Sequence, residues 1–330
     1  MGSLKRIDYL DIAKGFLIIS VVLSHSEFEY APMIYWFHMP AFFIISGMLF
    51  KDGLNLEAQI KKFFLPYLTF SLVDMAFTFL AYPQDLSLEN VILYGWRHIY
   101  SGKAIPGVFW FVPCLFLTKV IFNYGKKYIK KPYFTALIVL LYLAGHAYSL
   151  KVIPDAVENI TTSMYLPWNI DVLMVAIPYY AIGYVMNDCI SIITKKSTFL
   201  ISLILCVVFY ELNLKLGIYY FLNLKFSEFK FVVLDLVVPL IFTICIISFS
   251  SILVEGRLRR FLLYTGKNSL IVMYLHKPLE SFLLSKVNFG YITYTIIGTL
   301  IPVLFSLIIV DRHKIAQLVF KGKGIKVRYA

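Results

Sequence analysis

Residues 6–25 read Arg6-Ile-Asp-Tyr-Leu-Asp11-Ile-Ala-Lys14-Gly-Phe-Leu-Ile-Ile-Ser-Val-Val-Leu-Ser-His25. A long apolar run here follows two ionisable residues and delivers a histidine at its far end. In a helix, Lys14 and His25 return to one face at 3.6 residues per turn, about 16 Å apart along the axis. Asp11 falls near the same face. Ionisable groups on one side of a membrane helix are tolerated where that side lines protein interior or a wet cavity, so they mark a functional site. The plainer reading is a helix that starts with a cation at the cytoplasmic edge and ends in polar residues, Ser24-His25-Ser26-Glu27, at the other interface.

Composition decides that the stretch is in a membrane. The chain has 330 residues, 60% hydrophobic and 15% charged, with a mean hydropathy of +0.77. Soluble domains run at roughly 45–50% apolar and about 25% charged, so the charges are too few to cover a water-facing surface of this size. The net charge of +12 admits nucleic acid as a partner, but Lys and Arg retained in cytoplasmic loops are the commoner cause in a polytopic protein. Cys114, Cys189, Cys206 and Cys245 form no CxxC and no ligand-like spacing. They read as small buried hydrophobes, and no metal site is expected. Asp8 and Asp11 interrupt the start of the chain and no small-residue cleavage pattern follows, so the first span is expected to stay.

Working outward, apolar runs long enough to cross a bilayer, roughly 17–25 residues, fall near 9–26, 31–50, 63–82, 107–124, 133–150, 168–186, 197–212, 231–252, 262–284 and 290–310. The seventh is short and the ninth contains Lys267, Asn268, His276 and Lys277. With both ends placed in the cytoplasm, 21 Lys and Arg fall in inner segments and 7 in outer ones. That bias supports the topology and replaces the nucleic-acid reading. Trp36, Trp96, Trp110 and Trp168 lie at span ends, as an aromatic belt places them. The longest non-apolar stretches, 83–106 and 311–330, are too short for an independent core. The expectation is an all-α integral membrane protein, one polytopic bundle of about ten helices over residues 1–330, with 311–330 a short basic cytoplasmic tail.

Three further stretches combine polarity with membrane depth. In Trp36-Phe-His38-Met-Pro40, Pro40 inside a span requires neighbours for the carbonyl it strands, and His38 is either a hydrogen-bonded histidine or part of a site. Lys61-Lys62-Phe-Phe-Leu-Pro66-Tyr67 sets a cationic pair at the mouth of the third span, read either as positive-inside anchoring or as a phosphate site. In Thr265-Gly266-Lys267-Asn268-Ser269, Asn268 or Ser269 suits an N-cap for the helix carrying His276.

Taken together the stretches resemble the membrane-bound acyltransferase 3 family, whose mark is a basic residue, ten intervening residues and a histidine, here Lys14 and His25. Its company follows in order: FHMPAFFIISGMLF, KKFFLPYL, FWFVPCLFL, LPWNIDVLMVAIPYYAIGY and GKNSLIVMYLHKP. WFVP and PWNID look closest to a fucose 4-O-acetylase-like branch. Lysine stands where the family usually has arginine, at Lys14 and at Lys61-Lys62, and a lysine is a point charge, not a bidentate clamp.

The resemblance implies a bacterial inner-membrane, multi-pass O-acetyltransferase, moving acetyl from acetyl-CoA to a hydroxyl of a capsule, O-antigen or related glycan. Its partners would be the carbohydrate acceptor and membrane lipid; no oligomeric state is implied. Lys14, Lys61 and Lys62 would hold the phosphates of acetyl-CoA. His25, with Asp11, would carry the catalysis, either as general base toward the sugar hydroxyl or as a covalent acyl relay. His38, Tyr67, Trp110, Asn169, Asp171, Asn268 and His276 are candidates to line the sugar or acyl path. The competing class is a transporter or flippase for a glycan or lipid-linked glycan, which intramembrane charges also fit. The paired repeats common in such folds are not visible in the sequence.

Overall fold

The computed structural model describes residues 2–100, 108–153 and 166–323, with side chains from Asp8 onward. Lys5, Arg6 and Lys103, used in the charge count, and residues 324–330 of the basic tail lie outside the described side chains.

The chain folds as α1 (Gly2–Ser24), α2 (Ala31–Tyr35), α3 (His38–Met48), α4 (Leu56–Ala81), α5 (Leu88–Tyr100), α6 (Phe111–Tyr128), α7 (Lys131–Lys151), α8 (Ile170–Met186), α9 (Ile190–Ile193), α10 (Lys196–Lys215), α11 (Leu234–Ile252), α12 (Arg257–Lys267), α13 (Ser269–Leu284), α14 (Tyr291–Phe305) and α15 (Lys314–Lys321). A π-helical turn, Ser306–Val310, prolongs α14. Between α10 and α11 lies a small antiparallel hairpin, β1 (Leu222–Asn223) and β2 (Glu228–Phe229), pairing Leu222 with Phe229.

Among the described residues six helical stretches are long and apolar enough to cross a membrane: Leu56–Ala81, Lys131–Lys151, Pro167–Ile193, Lys196–Lys215, Leu234–Ile252 and Tyr291–Val310. The protein is an all-α, multi-pass membrane protein. Rows of exposed Leu, Ile and Val on α10, including Leu200, Ile201, Ile204 and Val207, form the outward surface that suits hydrocarbon contact.

The expected spans differ in detail. The seventh is not short, since α10 has 20 residues. Residues 31–50 do not form one helix: α2 stops and α3 begins again at His38. Pro40 therefore sits in the first turn of α3, where its missing N–H would have had no helical partner, and the expected stranded carbonyl does not arise. Residues 262–284 split at Asn268 into α12 and α13. Asn268 does not cap α13 with its side chain; its amide instead donates to the Tyr264 carbonyl at 2.9 Å and accepts from the Ser306 hydroxyl at 2.9 Å. Two of the supposed belt tryptophans, Trp36 and Trp110, are buried in the protein. Cys114 and Cys206 are buried as expected of small hydrophobes, whereas Cys189 is exposed. The tail contains α15, an amphipathic helix with Ala316 buried.

The opening helix lies at the centre. Ile12, Ala13, Leu17, Ile18 and Val22 of α1 are fully buried, packed among α3, α11, α12, α13 and α14. Hydrophobicity does not hold helices together in lipid, so close backbone approach through small residues matters more. Gly15 lies on the Leu262 carbonyl of α12, and Gly266 of α12 lies on the Asp11 carbonyl; a Cβ at either would collide with that oxygen. Gly47 and Gly183 make the same kind of crossing between α3 and α8.

Candidate active site

At the far end of α1, backbone hydrogen bonds from His25 N to Val22 O (3.2 Å) and Ser26 N to Leu23 O (3.1 Å) end the helix. His25 is thereby presented at the wall of a cavity of about 200 Å³, whose other lining includes Tyr35, His38, Trp110, Asn223 and Lys225. The α2–α3 break supplies Tyr35, the last residue of α2, and His38, the first of α3, their rings 5.1 Å apart. His276, on α13, lays its ring beside that of His25 with centroids 5.4 Å apart.

The three imidazoles are not equivalent. His38 Nδ1 lies 2.6 Å from the Ile34 carbonyl, and His276 Nδ1 lies 2.9 Å from the Val272 carbonyl. A carbonyl only accepts, so each Nδ1 carries the proton and each neutral ring keeps its lone pair on Nε2. Nε2 of His276 is buried with no partner. Neither ring can turn without giving up its helical carbonyl. Of these three, His25 has no such anchor to a helical carbonyl and is held by ring contacts with His276 and, at 6.4 Å, Tyr35. Lys225 and Lys277 lie within electrostatic reach of it. The arrangement offers a free imidazole at a cavity, flanked by fixed nitrogen acceptors and cations, which suits proton removal from a hydroxyl and stabilisation of developing negative charge.

Lys14 and Asp11 lie at the other end of α1. Lys14 Nζ meets Asp11 Oδ1 at 2.6 Å, and Asp11 is about 21 Å along the axis from His25 at 1.5 Å per residue. The helix therefore brings Asp11 to the lysine, not to the histidine. Between the two ends, Leu17, Ile18 and Val22 are fully buried, and Val21 forms part of the cavity wall. Lys62 of α4 lies within electrostatic reach of Lys14 and Lys323. Lys61 points elsewhere, to an exposed ion pair with Glu57 at 2.6 Å.

The remaining expected residues divide between wall and support. Trp110 and His38 line the cavity and His276 backs it. Asn169, in a left-handed conformation (φ 56°) at the start of α8, donates to the Trp110 carbonyl at 3.4 Å and so fixes the Trp110 backbone. Asp171 accepts from the Ser227 hydroxyl, tying down the hairpin that carries Lys225. Tyr67 donates to the His98 carbonyl and sits in an aromatic cluster with Phe109 and Tyr274. Asn268 lies at the α12–α13 joint. Neither Tyr67 nor Asn268 lines the cavity.

Tyr35, Asn223 and Lys225 line the cavity without having been marked in the sequence. The hairpin has no periodic signal, and its place comes from distant polar anchors. The Phe229 N–H donates to Ser149 Oγ at 3.0 Å, and the Phe231 N–H to Asp235 Oδ2 at 2.9 Å. His146 Nε2 meets the same Asp235 oxygen at 3.1 Å, both residues fully buried. Among the described residues no cluster of three or more potential metal ligands occurs.

Neither a curated protein nor a solved structure matches the chain. The pattern of the acyltransferase domain family Acyl_transf_3 matches residues 7–311, from the base of α1 to the end of the π-helical turn and Asp311. That span contains α1 with Lys14 and His25, the broken α2–α3, the hairpin and α13, so the chain belongs to the Acyl_transf_3 family of membrane acyltransferases and is an enzyme.

Proposed function

We propose that the protein is an O-acetyltransferase of the fucose 4-O-acetylase-like branch, moving acetyl from acetyl-CoA to a hydroxyl of a surface polysaccharide or related glycan at the bacterial inner membrane. The observation that carries this reading is His25 at a cavity wall with Tyr35, His38, Trp110 and Asn223 around it. A free imidazole, an indole face and hydrogen-bonding side chains are what a sugar hydroxyl needs to be held and deprotonated. In this reading His25 removes the hydroxyl proton as the oxygen attacks the thioester carbonyl. The tetrahedral adduct collapses with loss of the CoA thiolate, which takes up a proton.

The donor would enter at the Lys14 end, with its phosphates near Lys14 and Lys62. Lys61, engaged with Glu57, has the weaker claim. A ten-span topology with both termini in the cytoplasm is part of the proposal. It rests on the threefold excess of Lys and Arg in the inner segments and on splitting two of the spans into shorter helices, as α2–α3 and α12–α13 are.

The test is transfer of labelled acetyl from acetyl-CoA to a glycan acceptor in membranes, read as alkali-labile ester on the sugar. Wild-type protein should form the ester and His25→Ala, inserted to the same level, should not. Ester formation by His25→Ala at the wild-type rate would overturn the assignment.

A further inference from the structure

The segment beyond the family's matched span is packed onto the Lys14 end of the molecule. Asp311 gathers it in. The Tyr264 hydroxyl donates to its carboxylate at 2.6 Å, Lys321 forms an ion pair with it, and Gln317 donates to its carbonyl at 3.0 Å. Phe320 places its ring 5.3 Å from Phe70 of α4 and 5.1 Å from Phe305. After α15 the chain turns at Gly322, left-handed at φ 61°, with its Cα so close to the Lys62 backbone that a Cβ would strike it. Lys323 follows directly.

This packing gathers ammonium groups. Lys62 is within electrostatic reach of Lys14 and Lys323, and Lys119 of α6 is within reach of Lys62. The nearby carboxylates are committed: Asp11 to Lys14, Asp311 to Lys321, and Glu57 to Lys61. Lys119 holds the neutral Gln59 at 2.7 Å. Among the described residues neither Lys62 nor Lys323 forms an ion pair, although the Asp311 carboxylate, bonded to Lys321, lies within electrostatic reach of Lys323. Like charges held together in partly desolvated surroundings repel unless an anion joins them, and a fold that brings α15 and its left-handed turn onto Lys62 builds this repulsion in.

We propose that Lys62, Lys323, Lys14 and Lys119 form a polyphosphate site, and that α15 is the part of the donor site that receives the nucleotide end of coenzyme A. The proposal rests on the acetyl-CoA reading above and adds a segment that lies outside the family's matched span. Phosphate could also arrive on an anionic lipid headgroup, which the experiment separates.

The full-length protein in neutral phosphatidylcholine nanodiscs is titrated with adenosine 3′,5′-bisphosphate, the nucleotide end of coenzyme A, and with adenosine as the uncharged control. Wild type should bind the bisphosphate and not adenosine. Lys323→Gln should weaken it about tenfold, as loss of one charge-assisted contact implies. Gly322→Ala, which displaces the turn from Lys62, should weaken it similarly, and Lys196→Gln, at an exposed lysine of α10, should leave it unchanged. Wild-type-like binding by both Lys323→Gln and Gly322→Ala overturns the proposal, as does failure of wild type to bind the bisphosphate. In phosphatidylglycerol nanodiscs, thermal stabilisation that needs Lys62 and Lys323, with no effect of the bisphosphate in either lipid, assigns the phosphate to lipid and overturns the donor role. If wild type binds the bisphosphate through Lys323 yet esterifies no glycan, the glycan reading falls and this one stands.

Discussion

The ring of His276 lies beside that of His25 with centroids 5.4 Å apart and planes inclined by 34°, although 251 positions separate them in the chain. His276 is locked by its helical carbonyl and His25 is not. One imidazole thus sets the position of the other without competing for its protons through a direct chain of hydrogen bonds.

Replacing His25 by alanine should lower acetyl transfer at least about 100-fold, the lower end of what a positioned acid or base contributes. Labelled-acetyl transfer in membranes measures it, with insertion checked by immunoblot.

His276→Ala should reduce transfer about tenfold or more by freeing the His25 ring, because misplacement by about 1 Å is enough to lose that much. His276→Gln, which fills part of the space but cannot reproduce the ring face, should recover little. Initial rates at saturating acetyl-CoA would show the loss in turnover.

Gly266→Ala should destabilise the bundle by about 1–3 kcal/mol, the usual consequence of forcing a methyl into a packed crossing. The collision is with the Asp11 carbonyl, which the backbone of α1 cannot yield without moving Lys14. A lowered unfolding temperature in detergent is the readout.

Asp235→Ala should cost about 1–3 kcal/mol for each buried polar group left unpaired, since it strands His146 Nε2 and the Phe231 N–H. The same change should loosen the hairpin roof, so the apparent KM for a glycan acceptor should rise along with the loss of thermal stability.

Asp311, outside the spans, should make the stability of α15 depend on pH. Burial pushes its carboxyl up, but the hydrogen bonds from Lys321 and Tyr264 outweigh burial and hold it below its ordinary value of 3.8. Lys321 itself is lowered from 10.5 by burial, yet it remains charged throughout the acid range. A depressed carboxyl pKa gives a stabilising contribution that is complete above the unfolded value and lost as pH falls through the folded one. Protection of the α15 amides, taken relative to the intrinsic exchange rate at each pH, should therefore be high near neutrality and fall below about pH 4. Asp311→Asn should show low protection at both.

How much of this was legible follows particular residues. The cation and histidine of α1, and the amino-acid patterns around His38 and His276, were readable because helical period converts spacing into a shared face. The break after Tyr35 was not, since the apolar run continues through Trp36 and Phe37 without a Gly or Pro at the joint. Asp11 looked like a companion of His25 by face, but rise along the axis outweighs angle and hands it to Lys14. Lys61 and Lys62 are neighbours in sequence with different fates, because successive residues on a helix point about 100° apart. The hairpin was invisible because Asp171, Ser149 and Asp235, scattered over three helices, position it, and no local pattern encodes such long-range anchoring.

The turn at Gly322 has a practical outcome. Gly322 packs on the backbone of α4 at Lys62, so an affinity label inserted at that bend would crowd the approach to Lys62. A kinetic comparison made on a protein labelled there would mistake the label's bulk for an intrinsic property of the enzyme.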